Sequence, residues 1–413
     1  MNTPKRRSPF RFAAVAAPVL ALALAACASP ADGDDGAAEA SDAHSTDAEV
    51  SAPRVVVSYD GGLLVLEGDS LETVDDVALD GFLRLNPAGD ARHMIVSTDD
   101  SFRVLDTGVT IEEHGDHAHY YAESPELTEI EFAAEHPGHV TTHAGTTALF
   151  ADGTGRVELF DPSTLVDGEP EVTEYESPEA HHGVAVALEG GALLTTLGTS
   201  ESRSGAVVLD ADRAELARTE DCPGVHGETV AADEVVVLGC ENGAVLYRDG
   251  AFTKLTAPDA YGRIGNQAGS PESAIVLGDY KVDAEAELER PERVSLIDTE
   301  SATLRFVELG TSYTFRSLAR GPHGEALVLG TDGAIHVIDP VAGTVSSRFD
   351  VIAPWTEPTD WQEARPSLEV RGQRAYVTDP ATSMVHVVDL ESGETTASVE
   401  LPHVPNELST VGD

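Results

Sequence analysis

Ten of the 15 histidines lie between His93 and His226, and all of these but His93 cluster in four short stretches: EEHGDHAHYY (112–121), HPGHVTTH (136–143), HHGVAV (181–186) and CPGVHGE (222–228). Neutral imidazole is a good zinc donor, and zinc takes four nitrogen, sulfur or oxygen ligands in a tetrahedron. The H-x-x-H-x-H spacing lets one segment offer His114, His117 and His119 at little ordering cost, with Asp116 between them as an oxygen donor. Glu112 and Glu113 are placed to orient the rings from behind. The chain holds only three methionines and no free thiol pair, which argues against copper(I) carriage. Residue type alone does not separate zinc from nickel, cobalt or copper(II).

The elements that must position these rings are short strands. An apolar strand, a turn with Gly or Asp and a second strand recur as RVVVSYDGGLLVLE (54–67), ARHMIVSTDDSFRVLD (91–106), TTALFADGTGRVELFD (146–161) and GALLTTLGTSESRSGAVVLD (191–210). The pattern returns at 233–247, 273–298, 325–339 and 374–389, and copies end 37 to 55 residues apart. The segments run apolar or with period two, and none keeps helical periodicity. Strand pairs at that period predict an all-β fold, a single β-propeller with four strands per blade, eight blades favoured and seven the alternative. The first copy has no inner strand before it. HVPNELSTVGD (403–413) supplies one, so the C-terminal strand completes the N-terminal blade and closes the ring.

This register sorts the histidines into two groups. His139, His182 and His226 fall at matching places, near the starts of predicted inner strands, so three consecutive blades bring them to one mouth of the channel. His143 falls at the far end of an inner strand. HGDHAH lies in a 20-residue connection between Asp106 and an outer strand near Leu127–Phe132, longer than a propeller needs, and is expected as a loop on the face of His143. The plain alternatives are a solvated loop and channel histidines bonded to backbone. Cys222 lies almost opposite Cys240 if 226–232 and 234–240 pair antiparallel, which suits a disulfide; a zinc site for the pair is the alternative.

The N-terminus carries Lys5, Arg6, Arg7 and Arg11, then an Ala-rich apolar stretch ending Leu24-Ala25-Ala26-Cys27. This is expected as a lipoprotein signal peptide over 1–26, with Cys27 the lipidated residue. Residues 27–53 hold almost no large apolar side chain and form an acidic tether, leaving 54–413 for the propeller. With 73 acidic against 25 basic residues, phosphate would be repelled, so no nucleic-acid partner is expected. The membrane is met through the lipid anchor only, and the location is outside the cytoplasmic membrane, at the cell surface or periplasmic side.

HGDHAHYY, HPGHVTTH, HHGVAV and DCPGVHGE, in this order in one secreted propeller chain, resemble the AztD-type zinc metallochaperones. The resemblance covers essentially the whole folded part, and HGDHAHYY with CPGVHGE carries most of it. It implies an extracytoplasmic protein that binds zinc (Zn2+) and passes it to the solute-binding protein of a zinc ABC importer, with no bond chemistry. It implies metal contacts from His114, His117, His119, His139, His143, His182 and His226. A monomer is expected. Two other functions remain at this point: a metal-dependent, lactonase-like hydrolase, for which the channel histidines plus Glu228 imitate a site, and a metal-free interaction scaffold.

Overall fold

The structure, a computed structural model, describes residues 53–114 and 117–412; of residues 111–114 and 117–120 it describes the backbone alone. The signal peptide and tether read at 1–26 and 27–53, with Cys27, fall outside the described residues apart from Pro53, as does Asp116. Among the described residues no helix is long and apolar enough to cross a membrane.

Eight sheets, seven of four strands and one of five, follow one another along the chain and form an eight-bladed β-propeller, so eight blades stand and seven do not. Within each blade the strands run antiparallel from the inner one outwards. Blade 3 is Pro137–His143, Thr146–Ala151, Arg156–Phe160 and Thr173–Glu176; blade 4 is Ala185–Ala187, Leu193–Gly198, Arg203–Leu209 and Glu215–Thr219. Blade 5 runs His226–Ala231, Val235–Cys240, Asn242–Arg248 and Ala251–Thr256, with the two-residue Gly262–Arg263 paired to it in parallel.

The ring closes as expected. Leu408–Val411 pairs antiparallel with Arg54–Tyr59, placing Val411 opposite Arg54 and Leu408 opposite Val57. Ladder hydrogen bonds thus replace what would be a free sheet edge in blade 1. Glu407, just before that strand, accepts from the Leu85 N–H of blade 2 and pairs with Arg316 at 3.1 Å, so the closing segment is held on both sides.

Burial explains why each blade exists. The two middle strands are apolar on both faces, as in RVVVSY and GLLVLE, whereas the outer TVDDVA is largely exposed. Neighbouring blades stack these faces: Val184, Val186, Leu194 and Val208 of blade 4 meet Val236, Leu238 and Val245 of blade 5. Each such side chain contributes about 1.5–3 kcal/mol on leaving water. Cys222 and Cys240 form a disulfide with Cα atoms 4.9 Å apart, tying the approach to the inner strand of blade 5 onto the strand beside it.

One expectation fails. The connection carrying HGDHAH is not a loop. It is an antiparallel hairpin, Val109–His114 paired with the return strand His117–Ala122, in a small sheet of its own. Its register sets His114 opposite His117 and Glu112 opposite His119. It does join the third strand of blade 2, Ser101–Asp106, to the outer strand Glu126–Ala133. At its base Arg92 donates to both carboxylate oxygens of Asp106, at 2.8 and 2.7 Å, and to Thr110 Oγ1 at 2.5 Å.

Candidate metal centre

Three blades each send one histidine to the mouth of the channel. His226 opens the inner strand of blade 5, His139 sits near the start of that of blade 3, and His182 precedes Ala185–Ala187 of blade 4. Two of them lie at β-bulges. The pairing of blade 3 shifts register between Pro137 and Val140, around His139, and that of blade 5 shifts between His226 and Glu228. A bulge re-aims the side chain beside it. At the second bulge Gly227 has φ +73°, and a Cβ there would come within 2.4 Å of the Gln267 amide oxygen and 2.5 Å of the Gly265 carbonyl oxygen.

The rings converge. Their centroids are 5.0 Å apart for His139–His182, 5.5 Å for His139–His226 and 5.0 Å for His182–His226. One nitrogen from each lies within 4.8 Å of the other two. Tetrahedral zinc with bonds of about 2.0–2.1 Å needs nitrogens about 3.3 Å apart, so modest ring rotations close the set on one ion.

The other nitrogen of each ring faces a support. His182 Nδ1 donates to Asp152 Oδ2 at 2.5 Å, and Asp152 Oδ1 accepts from the Gly183 N–H at 3.2 Å. His226 Nδ1 donates to the Gly265 carbonyl at 2.7 Å. His139 Nδ1 lies 3.1 Å from Glu228 Oε2. A carbonyl oxygen can only accept, and an ionised carboxylate likewise, so the hydrogen-bonded neighbours of His182 and His226 keep the proton on Nδ1 and leave the Nε2 lone pair for a metal. Each neighbour crosses between blades: Asp152 of blade 3 serves His182 of blade 4, Gly265, ahead of blade 6, serves His226, and Glu228 of blade 5 lies beside His139 of blade 3. Burial, with His139 next in effect, pushes the His226 imidazolium down to about 2, so this ring is neutral and able to bind metal at any ordinary pH.

The other candidates lie elsewhere. His143 ends the inner strand of blade 3 and donates Nδ1 to the Ala187 carbonyl at 2.7 Å; it is not in the three-histidine set. His181 points away from its neighbour into the blade, held by the Glu179 carbonyl and Thr196 Oγ1 at 2.9 and 3.0 Å. His93 is buried and bonded to Asp90 at 2.5 Å. For His114, His117 and His119 the backbone register of the hairpin is what the structure describes. Asp152 and the Gly265 carbonyl escape a reading of the sequence: an Asp in an Asp-Gly turn is ordinary turn chemistry, and a backbone oxygen carries no residue signature.

No family model matches the chain. The chain is 26% identical over 360 residues to the zinc chaperone AztD of Citrobacter koseri, covering 84% of this chain and 82% of that protein. The crystal structure of Citrobacter koseri AztD superposes with a TM-score of 0.77 at 24% identity, over 88% of this chain and 98% of that one. The apo form of the same protein gives 0.75 at 23% identity, over 87% and 98%. The resemblance carried by the histidine motifs is thereby borne out. The dehydrogenase NirN in complex with DHE shares the fold more distantly, with a TM-score of 0.54 at 13% identity over 88% of this chain and 75% of that one, so a propeller of this kind also serves an enzyme.

Proposed function

From its likeness to the AztD-type zinc chaperones, we propose that the chain captures zinc outside the cytoplasmic membrane and hands it by direct ligand exchange to the solute-binding protein of a zinc ABC importer. The observation that carries this reading is the trio His139, His182 and His226, with ligand atoms within 4.8 Å of one another and Nδ1 of each ring turned to a support. Imidazole donors suit zinc, and they release it by stepwise exchange when a competing ligand enters. The reading includes no bond chemistry, a lipid anchor on Cys27 beyond a tether that ends at residue 53, and a monomer. The hairpin histidines His114, His117 and His119, with Asp116 and His143, form a second set of metal contacts on the opposite face.

The test is transfer under competition. Zinc-loaded chain is mixed with the apo solute-binding protein, with and without a chelator that removes free zinc. Direct exchange keeps the transfer rate unchanged by the chelator. Transfer that stops when free zinc is scavenged contradicts it, and hydrolysis of generic lactones or esters by the loaded protein would favour the hydrolase instead.

A further inference from the structure

Three imidazoles leave a tetrahedral zinc one donor short, and the charged groups beside the trio differ in whether they are free to supply it. Asp152 is committed at both oxygens, one to His182 and one to the Gly183 N–H. Glu228 is not. Among the described residues its Oε2 is buried and has no hydrogen-bond partner, although it lies 3.1 Å from His139 Nδ1. A shielded carboxylate oxygen without a donor is costly to keep. It sits two residues from His226 across the Gly227 bulge, on the inner strand that lines the channel. Gln267 lies against Gly227 with both amide atoms buried and unpartnered, but a neutral amide is a poor zinc donor.

We propose that Glu228 is the fourth donor: when zinc enters, its carboxylate leaves the side of His139 Nδ1 and closes the coordination sphere as His3Glu. This rests on the proposed zinc reading of the same site. His139 is 18% exposed at the side chain, so water takes over its Nδ1–H when Glu228 departs. The closed sphere accounts for storage rather than catalysis, since a catalytic zinc keeps a position for water and substrate. It also supplies the exit. A carboxylate that swings off the ion, back to its place beside His139, opens one position for an incoming ligand while three imidazoles still hold the metal.

Glu228→Gln and Glu228→Ala in the full chain separate donor from support. The Gln amide oxygen keeps the shape beside His139, but it does not replace a carboxylate on zinc. A fourth donor predicts that both variants lose zinc affinity by about 10–100-fold, and that their cobalt(II) complexes change visible spectrum in the same way. A zinc-soaked crystal of the unaltered chain then shows a Glu228 oxygen at about 2.0–2.2 Å from the ion. Rescue of affinity by Glu228→Gln, or a crystal with water in the fourth place and Glu228 still beside His139, overturns the proposal and leaves zinc carriage standing. Absence of zinc binding in the unaltered chain overturns both.

Discussion

The channel mouth and the hairpin Val109–His114/His117–Ala122 carry equal numbers of histidines and solve the same problem in opposite ways. At the mouth the proposed donors come from positions as far apart in the chain as His139 and His226, and a ring of sheets holds them. His182 and His226 are oriented by hydrogen bonds from outside their own blades, and the ordering cost was met when the propeller folded. In the hairpin the proposed donors are neighbours in the chain, set opposite one another by the pairing of its two strands, whose base is anchored through Arg92. The first arrangement favours affinity through preorganisation. The second gathers its residues within one short segment, in a sheet outside the blade's own.

The largest effect that would break this contrast comes from the mouth. Replacing any one of His139, His182 or His226 by Ala is expected to weaken the tightest zinc site by more than about 100-fold, read by competition with a chromophoric chelator. Replacing His114, His117 and His119 together is expected to remove weaker binding and leave the tightest site within a few-fold. If the hairpin variant loses the tight site instead, the assignment of roles reverses.

Supports come next. Asp152→Asn removes the charge behind His182 and is expected to cost about 10–100-fold in zinc affinity with little change in melting temperature. Loss of the disulfide in Cys222→Ala/Cys240→Ala, which spans 18 residues and braces the segment leading to His226, is expected to cost about 2–4 kcal/mol of stability by denaturant unfolding.

A pH effect sharpens the contrast further. In the unfolded chain His226 takes up a proton near pH 6.5, whereas in the fold burial holds it neutral down to about 2. The unfolded state therefore binds the extra proton throughout that window, and stability from this residue is present above pH 6.5 and falls as the pH drops below it. The zinc-free chain should lose several degrees more in melting temperature between about pH 7 and about pH 4.5 than its His226→Gln variant. Equal losses would mean that the site is not shielded from water. The smallest contrast is between single residues: His117→Ala is expected to weaken total zinc binding measurably, and His323→Ala, in a separate cleft with Gln373 and Leu390, to leave it unchanged.

The ring and its closure are legible in the sequence because blade repeats impose a period, and because a first strand pair without an inner partner demands one from the other end. The trio is legible for the same reason: His139, His182 and His226 recur at one position of the repeat. The hairpin is harder to see. VTIEEH and HAHYYA carry too many polar residues for a clean apolar alternation, and the one local sign of a turn is the Gly-Asp pair between them. The supports are hidden for a different reason. That Asp152 reaches His182 depends on Gly138, where a Cβ would meet the Asp152 carboxylate at 2.2 Å, a contact between a strand and a turn that no local pattern encodes.

The central claim is that three blades converge on one ion, and zinc-edge anomalous diffraction from a zinc-soaked crystal tests it most directly. The account predicts a peak at the mouth within about 2.0–2.1 Å of Nε2 of His139, His182 and His226 together. Full zinc loading with peaks at the hairpin alone, and none among these three rings, would contradict it.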